Sequence, residues 1–300
     1  MLAENKSTDD ERNKVAMYWR AGENHVLQCL LCPHNCVVQE GKAGRCGVRS
    51  NKNGELVADS YGLVSAIALD PIEKKPLRRF EQGKSILSIG SFGCNLQCPF
   101  CQNHGISLEY KDRWEQHQKM TSAQVAALAE DTIGKGNIGV AYTYNEPLVG
   151  YEFVLDSAKE VHKLGMKNVL VTNGFINPLP LKELMPYINA MNIDLKCFVS
   201  EKYKKLGGNL EAVKRTIEIA AEVAHLEITT LIIPGENDSE EEIGELARWI
   251  ATIDPNLPLH LSRFFPAYQC RQKEPTPIDT MYKLEKVARK HLKIVFLGNM

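Results

Sequence analysis

The sequence has no long apolar run and almost no net charge. Its purely apolar stretches are short, as at residues 231–233, whereas a membrane-spanning helix needs about 20 apolar residues. Residues 1–14 are polar and acidic, unlike the apolar stretch of a secretory signal. A net charge of −1 gives no general attraction to nucleic acid or to an anionic membrane. We therefore expect a cytoplasmic protein with neither a nucleic-acid nor a membrane partner.

Aromatic residues are also few, at 7%, but 44% of the 300 residues are hydrophobic, which is enough to bury a sizeable core. From about residue 85 onward the hydrophobic period alternates between strand-like and helix-like, which predicts repeated strand–helix units. The predicted strands are 85–91, 138–144, 168–172, 190–195, 227–233, 259–264 and 293–297. Strands that are apolar on both faces and joined by helices indicate a parallel sheet with right-handed crossovers. We predict an α/β fold in which residues 85–300 form a partial (β/α)6-type TIM barrel and residues 1–84 form an N-terminal cysteine-rich extension.

Polar residues follow most of the predicted strands at the point where each strand ends. In a βα barrel the loops at the carboxyl ends of the strands form one open face, and this face usually carries the chemistry. The residues concerned include Glu146, Asn173, Asp194, Lys196, His260 and Arg263. Any one of these loops can also be explained by turn chemistry, and Asp194 can simply pair with Lys196 on the same strand face. Their coincidence on one rim favours a functional site.

The nine cysteines do not form a complete disulfide framework, because their number is odd and the expected compartment is reducing. Metal binding is therefore their leading use. The stretch GCNLQCPFC, residues 93–101, supplies three thiolates directly after the first predicted barrel strand: Cys94, Cys98 and Cys101. Three thiolates can hold three corners of a cubane [4Fe–4S] cluster and leave the fourth iron open for chemistry. The alternative is a zinc knuckle completed by a distant ligand such as His104.

A second cysteine group lies in the extension and supplies four thiolates within eighteen residues: Cys29, Cys32, Cys36 and Cys46. Four thiolates can close a metal site completely. Structural zinc is the first interpretation, an auxiliary iron–sulfur cluster is the second, and redox-active or unliganded thiols are the third. Between this group and the barrel, residues 70–80 (DPIEKKPLRRF) concentrate positive charge. They are either a solvated charged turn or a lid that helps to hold an anionic substrate or a redox partner.

These residues carry a family resemblance. The CxxxCxxC spacing, with an aromatic residue, Phe100, before the last cysteine, resembles the radical S-adenosylmethionine (SAM) superfamily. YNEP stands where these proteins often have a GGEP-like element, and TNGF and DLK resemble elements of pyruvate formate-lyase activating enzymes. The head CLLCPHNC…GKAGRCGVR, together with DPIEKKPL, CQNHGIS and HLSRFFPAY, is more similar still to the AmmeMemoRadiSam subgroup, which is named for accompanying Memo-like and AMMECR-like proteins.

The resemblance implies reductive cleavage of SAM at a [4Fe–4S] cluster held by Cys94, Cys98 and Cys101, to give a 5′-deoxyadenosyl radical that abstracts hydrogen from a substrate. It implies that Glu146 accepts a hydrogen bond from the SAM amino group. Asn173, Asp194 and Lys196 would face the ribose and carboxylate, and Phe100, His260 and Arg263 are further candidates for cofactor or substrate contact.

The resemblance also implies an electron donor such as ferredoxin or flavodoxin. The substrate would be a protein, a peptide or a small molecule, and candidate protein substrates include Memo-like and AMMECR-like proteins. A narrower alternative is an activase that installs a glycyl radical on a partner enzyme. YNEP lacks paired glycines, and Thr229 and Thr230 stand where the activating enzymes can carry an arginine, so these departures count against the activase. A non-enzymatic, zinc-stabilised binding module is the remaining alternative.

Overall fold

The structure is a computed structural model that describes residues 14–110 and 117–300. Its strands are β1 (Trp19–Ala21), β2 (Leu27–Cys29), β3 (Val37–Val38), β4 (Arg49–Lys52), β5 (Glu55–Ala58), β6 (Leu63–Val64), β7 (Ala66–Pro71), β8 (Ser85–Gly90), β9 (Gln118–Lys119), β10 (Asn137–Tyr142), β11 (Lys167–Thr172), β12 (Ala190–Asp194), β13 (His225–Ile232), β14 (Leu259–Arg263) and β15 (Val295–Gly298). Its α-helices are α1 (His104–Ser107), α2 (Ser122–Asp131), α3 (Tyr151–Lys163), α4 (Pro178–Leu184), α5 (Ser200–Lys205), α6 (Leu210–Val223), α7 (Glu240–Ile253) and α8 (Ile278–Ala288). Within the described ranges, no helix is both long enough and apolar enough to span a bilayer.

The main sheet confirms the predicted partial barrel. Strands β8, β10, β11, β12, β13, β14 and β15 run parallel in that spatial order, and each begins and ends within two residues of its predicted bounds. Strand β7 adds to the outer side of β8 in the antiparallel direction, from the register pair Ala66–Gly90 to the pair Pro71–Ser85. Since β7 lies within residues 1–84, hydrogen bonding of the sheet continues across the predicted boundary at residue 84. That boundary stays a prediction.

The two faces of the sheet are buried against different partners. Leu87, Ile89 and Leu170 belong to the large core shared with the flanking helices. Side chains of the opposite face, such as Ile86 and Ala190, pack in a second cluster with the segment that precedes β8: Ile72, Leu77, Ala141 and Val169 complete this cluster, with Phe80 against it. The interior of the barrel is therefore filled at the amino-terminal end of its strands, and the opposite end is left for a cavity.

Helix ends follow the sequence signals. Thr121 and Gln124 form a capping box at the start of α2, with both reciprocal hydrogen bonds present. Ser239 caps α7 by accepting from the amide of Glu242, but the Glu242 side chain accepts from the amide of Phe198 instead of returning to the cap. Helix α3 ends at Lys163, and Gly165, two residues on, has φ of 69°, a left-handed value that glycine adopts readily.

The extension consists of short antiparallel strands that are attached to the barrel by a buried ion pair. The Arg49 guanidinium on β4 lies 2.9 Å from the Glu152 carboxylate on α3, and both side chains are buried. Glu152 also accepts from the amide of Met17, and Arg49 donates to the Met17 carbonyl. Because an unpaired charge is costly in such a place, this pair fixes the extension to the outer helix layer.

Candidate functional site

A cavity of about 340 Å³ opens at the carboxyl ends of the barrel strands. The structure brings together there most of the residues that the sequence singled out: Cys94, Cys98, Phe100, Cys101, Glu146, Asn173, Asp194 and Lys196. The cysteines come from the loop after β8, and the other polar residues come from the ends of β10, β11 and β12. The parallel sheet aligns these strand ends, so residues distant in sequence line one space.

The loop that carries the three cysteines is held by backbone and amide contacts. Gly93 has φ of 87°, and a side chain there would lie 2.8 Å from the Cys46 carbonyl oxygen. The Asn145 amide donates to the carbonyls of Phe92 and Gly93, while its oxygen accepts from the amide of Ser91. Glycine is therefore required at position 93, and Asn145 sets where the loop leaves the strand.

Of the three thiols, Cys98 is buried and Cys94 and Cys101 are partly buried, and each affects the pKa of another. Burial raises the pKa of Cys98 to about 12, although the Lys196 ammonium opposes the rise. Burial likewise raises the pKa of Cys94, and the charges of Glu146 and Cys98 add to this effect. A soft metal would stabilise the thiolates against this cost, so three convergent thiols beside a cavity fit an iron–sulfur cluster with one open iron.

No three His, Cys, Asp or Glu side chains in residues 14–110 and 117–300 are spaced as a finished metal-binding group. The fit therefore rests on the type of donor and on the position of all three thiols at one cavity.

Glu146 is a fully oriented carboxyl group beside the cysteines. Its oxygens accept from the Thr172 hydroxyl at 2.7 Å, the Asn173 amide at 2.8 Å and the Leu148 amide at 3.0 Å. Burial raises the pKa of Glu146 to about 7, despite these hydrogen bonds. A cation that entered the cavity would favour its charged form.

Two further polar groups connect the strand ends to the cysteine loop. The Asn173 amide donates to Asn95 at 2.9 Å and approaches the Cys94 sulfur at 3.6 Å. Asp194 and Lys196 form an ion pair at 2.8 Å within the cavity wall. Asp194 and Lys196 thus pair with each other and also line the cavity.

His260 and Arg263 do not line this cavity. The His260 ring is buried and lies 2.6 Å from Glu227, below the strand ends, and it stacks on Phe296. The Arg263 guanidinium donates to the Thr276 carbonyl and lies over Phe265. His260 shares a face of β14 with Ser262 but lies deeper in the barrel, bound to Glu227, whereas Arg263 lies on the opposite face. Ser262 is the β14 residue that reaches the cavity.

Sequence reasoning missed a network at the cavity wall that connects the basic segment 70–80 to the YNEP loop. Asp70 lies 2.8 Å from the Lys75 ammonium and accepts from the Tyr144 hydroxyl at 2.8 Å. Lys75 is only 3% exposed, and its ammonium lies over the Tyr144 ring. Tyr144 has φ of 72°, a strained value for a residue other than glycine. The signal available was the position of Tyr144 inside YNEP, but its partner Asp70 is 74 residues away.

Thr229 is a second residue of this wall whose role sequence reasoning missed. It is 6% exposed, and its hydroxyl has no hydrogen-bond partner among the residues that the structure describes. Such a buried hydroxyl that faces a cavity is available to a ligand. Cys197, one of the two isolated cysteines, is buried and donates weakly to the Val199 carbonyl, outside the cavity lining.

The four N-terminal cysteines form a separate cluster. The pKa of Cys32 is raised to about 12 by burial first and then by the charges of the other three thiols. Cys46 behaves similarly, with its pKa raised to about 11. The Cys29 amide donates to the Cys36 carbonyl at 2.9 Å, and the Cys36 sulfur accepts from the amide of Arg45, the residue before Cys46. Thiolates are donors that suit a soft metal ion.

The two cysteine groups touch through backbone. The His34 ring nitrogen Nε2 donates to the Asn95 carbonyl at 2.8 Å, and its ring packs edge-on against Phe175. The Cys46 carbonyl lies against Gly93 on the other side of the loop. The extension therefore supports the start of the cysteine loop from two sides.

Comparison with known proteins gives a consistent result. The family model of the Radical SAM superfamily matches residues 88–250, more than half of the chain. An uncharacterized protein of Methanocaldococcus jannaschii is 36% identical over 290 residues, which cover 96% of this chain and 85% of that protein. The pyruvate formate-lyase 1-activating enzyme of Escherichia coli is 26% identical over 178 residues, or 54% of this chain and 68% of the enzyme. The crystal structure of a radical SAM methyltransferase from Sphaerobacter thermophilus is similar with a TM-score of 0.54 over 73% of this chain and 67% of that chain, at 17% identity, which shows a likeness of fold alone.

Proposed function

The chain belongs to the radical SAM superfamily, and we propose that its cavity cleaves SAM reductively and directs hydrogen abstraction from a protein, peptide or small-molecule substrate. Members of this superfamily are enzymes, and membership implies a [4Fe–4S] cluster and SAM. The cluster and SAM, when bound, supply an electron and a scissile S–C5′ bond, which yields methionine and a 5′-deoxyadenosyl radical. The non-enzymatic alternative is therefore set aside.

The observation that carries the proposal is the set of three thiols at one cavity. Cys94, Cys98 and Cys101 would each hold one iron, and the same cavity offers room and charge for SAM. Glu146 supplies a carboxylate for an ammonium group, since both of its oxygens are already oriented by Thr172, Asn173 and Leu148. The Asp194–Lys196 pair offers hydrogen bonds of both kinds to a ribose or a carboxylate.

Phe100 contributes by a different means. It is buried beside Cys98 and Cys101 and lines the cavity, so we propose that it excludes water from the cofactor. His260 and Arg263 do not contact the cofactor in this scheme, because the His260 ring binds Glu227 and the Arg263 guanidinium binds the Thr276 carbonyl.

For the second cysteine group we propose structural zinc at Cys29, Cys32, Cys36 and Cys46. The support is four mutually close thiols, none of which lines either of the two large cavities. An auxiliary iron–sulfur cluster is the competing proposal. Quantification of zinc and iron in the purified protein separates the two.

Substrate and partners are proposals of the same kind. Ferredoxin or flavodoxin is the electron donor that we propose, and the compartment is the cytoplasm, whose reducing conditions keep thiols free. Memo-like or AMMECR-like proteins are candidate substrates, and membership of the AmmeMemoRadiSam subgroup stays a prediction. Installation of a glycyl radical on a partner enzyme is the alternative, supported by the identity with the E. coli activating enzyme.

An iron and sulfide assay paired with SAM turnover tests the proposal. Anaerobically reconstituted protein should contain about four iron and four sulfide per chain at the barrel loop and release 5′-deoxyadenosine under strong reductant. Cys98→Ala should lose both properties, whereas Cys270→Ala, which changes a cysteine of neither group, should keep them. Wild-type protein that never cleaves SAM would refute the proposed function, and a glycyl radical detected by electron paramagnetic resonance on an added partner would favour the activase.

A further inference from the structure

A second cavity, of about 490 Å³, lies outside the barrel mouth, where the extension meets the loops after β11 and α5. Its lining includes His34 and Arg45 from the extension, and Lys204, Gly208 and Arg215 from α5, the following loop and α6. We call it the basic cavity and define it by its three cationic side chains, Arg45, Lys204 and Arg215.

The charge of the basic cavity is one-sided. Glu211 is the one carboxylate in its lining, and Glu211 is paired with Lys214 at 3.2 Å. Lys204 is paired with Glu201. The carboxylates of both pairs are mostly exposed, so water weakens both, and the described lining still holds three cations against one carboxylate. Arg45 and Arg215 form no ion pair with any residue that the structure describes. The chain as a whole carries a net charge of −1, so this concentration of positive charge is local.

The basic cavity is separated from the cysteines of the barrel loop by a single layer of chain. His34, in its wall, contacts the carbonyl of Asn95, the residue after Cys94. On the other wall, Gly208 lies against Leu96, and the neighbouring Leu206 carbonyl accepts from the amide of Gln97. The loop 94–98 thus has the catalytic cavity on one face and the basic cavity on the other.

We propose that the basic cavity and its rim are the docking surface for an acidic one-electron donor protein of the flavodoxin class. The inference rests on the proposed function, because only a bound cluster needs an external electron. In the transfer the donor loses one electron and the cluster gains it, and no bond forms or breaks. Docking at this face brings the donor close to the cysteine loop without covering the opening through which SAM and the substrate would enter.

Charge complementarity is the reason for this partner. Exposed cations around a site steer an anionic protein toward it, and this contribution appears mainly in the association rate and falls with ionic strength. The acidic surface of a flavodoxin could contact cations around the whole rim of the basic cavity. A small anion would contact only the residues at the bottom of the cavity.

The test measures how fast reduced flavodoxin reduces the reconstituted holoenzyme, followed as bleaching of cluster absorbance in a stopped-flow instrument. The double variant Lys204→Glu, Arg215→Glu reverses two charges of the rim and leaves the N-terminal cysteines untouched. We expect its second-order rate constant at low salt to fall by at least about tenfold and its salt dependence to flatten. Direct binding of flavodoxin, measured by calorimetry, should weaken in parallel.

The matched control is Arg248→Glu, Lys286→Glu, which changes the same net charge on α7 and α8. It should reduce at the wild-type rate. Dithionite, which needs no docking surface, should reduce all three proteins alike, and SAM cleavage with dithionite should be unchanged in both double variants.

Three results would overturn the docking assignment while leaving the proposed function standing. One is reduction of the Lys204→Glu, Arg215→Glu protein by flavodoxin within twofold of wild type; another is an equal loss in the control variant. The third is saturable binding of inorganic pyrophosphate that these substitutions abolish while flavodoxin reduction persists, which would assign the basic cavity to a small anion. Failure of SAM cleavage with dithionite in the wild-type protein would instead sink the proposed function.

Discussion

The two cysteine groups differ in the number of thiols and in what lies beside them. Cys94, Cys98 and Cys101 are three, and all of them line the cavity at the barrel mouth. The N-terminal group has four, and none of its members lines either large cavity. With a cluster bound, the first group would leave a coordination position beside open space, and the second group has enough thiols to satisfy a metal by itself.

We propose that the difference reflects two uses of cysteine in one chain. A ligand set that is one donor short is useful only where a second molecule can supply the missing donor. A complete set needs no second molecule, and it can instead hold a short segment that has little core of its own. The predictions below test this division, from the largest expected effect to the smallest.

Removal of one thiol from the incomplete set should abolish chemistry but leave the fold intact. We expect Cys101→Ala to lower SAM cleavage by at least about a thousandfold, or about 4 kcal/mol in activation free energy. Zinc content and the urea midpoint of unfolding should stay at wild-type values. The measurement is 5′-deoxyadenosine formation by chromatography, and full activity in this variant would contradict the assignment of the open site.

Removal of one thiol from the complete set should do the reverse. We expect Cys32→Ala to lose the N-terminal metal and to lower the free energy of unfolding on the order of 5 kcal/mol, because metal binding contributes directly to folding. Thermal unfolding and metal analysis check this. Activity per assembled barrel cluster should remain within a few-fold of wild type, and a specific loss of SAM cleavage with unchanged stability would instead indicate an auxiliary cluster.

The buried ion pair tests how the extension is attached. Glu152→Gln leaves the Arg49 guanidinium buried without its counter-charge, and we expect a loss of about 3 kcal/mol in the free energy of unfolding. Urea denaturation measures it. The double variant Arg49→Met, Glu152→Leu removes both charges and should recover most of the loss; if it is no better than Glu152→Gln, the pair is not what costs the stability.

Glu227 on β13 binds the basic segment 70–80, and its contribution to stability should depend on acid pH. Burial would raise the pKa of Glu227, but hydrogen bonds from His225, His260 and the amides of Arg78 and Arg79 outweigh it and lower the pKa to about 2. The unfolded chain, with a value near 4.5, then binds more protons than the folded protein between these two values. The contribution of Glu227 is therefore present above about pH 4.5 and is lost as the pH falls toward 2.

We expect Glu227→Gln to destabilise the protein by about 2 kcal/mol at pH 7 and by less at pH 3, measured by urea denaturation at both values. Glu218→Gln, at an exposed position of α6, is the control and should show no such pH dependence. An equal loss at pH 3 and pH 7 would mean that the effect of Glu227 is steric and not electrostatic.

The smallest effect on stability and rate should come from the contact between the extension and the cysteine loop, at His34. His34→Ala removes the hydrogen bond to the Asn95 carbonyl and the ring contact with Phe175, and we expect it to cost about 1 kcal/mol and to slow SAM cleavage a few-fold. His34→Gln, which retains an N–H donor, should recover part of the rate. If both variants equal wild type in rate, the two cysteine groups act independently.

Much of this architecture could be predicted from the sequence. The seven parallel strands were predictable because each is an apolar run bounded by turn residues, and the cysteine spacing marked the loop after the first of them. Strand β7 was not predicted, because its residues 66–71 form an edge strand whose only main-sheet partner is β8 and whose side chains are half buried. Edge strands of this kind carry little periodic signal.

Some residues of the site could be predicted from the sequence and others could not. Residues that directly follow strands, such as Glu146 and Asp194, were predictable because the parallel sheet itself aligns them. The placement of His260 and Arg263 was not, since it depends on which face of β14 turns inward and on the distant partners Glu227 and Thr276. The Asp70–Tyr144 hydrogen bond was equally hidden, because tertiary packing alone unites the two residues.

The packing of Ile72 and Leu77 inside the barrel has a consequence for traffic through the enzyme. Because these side chains fill the amino-terminal end of the barrel, the cavity opens at the carboxyl ends of the strands. A cofactor held by the cysteines and a substrate would therefore have to pass through the same opening at the carboxyl ends of the strands.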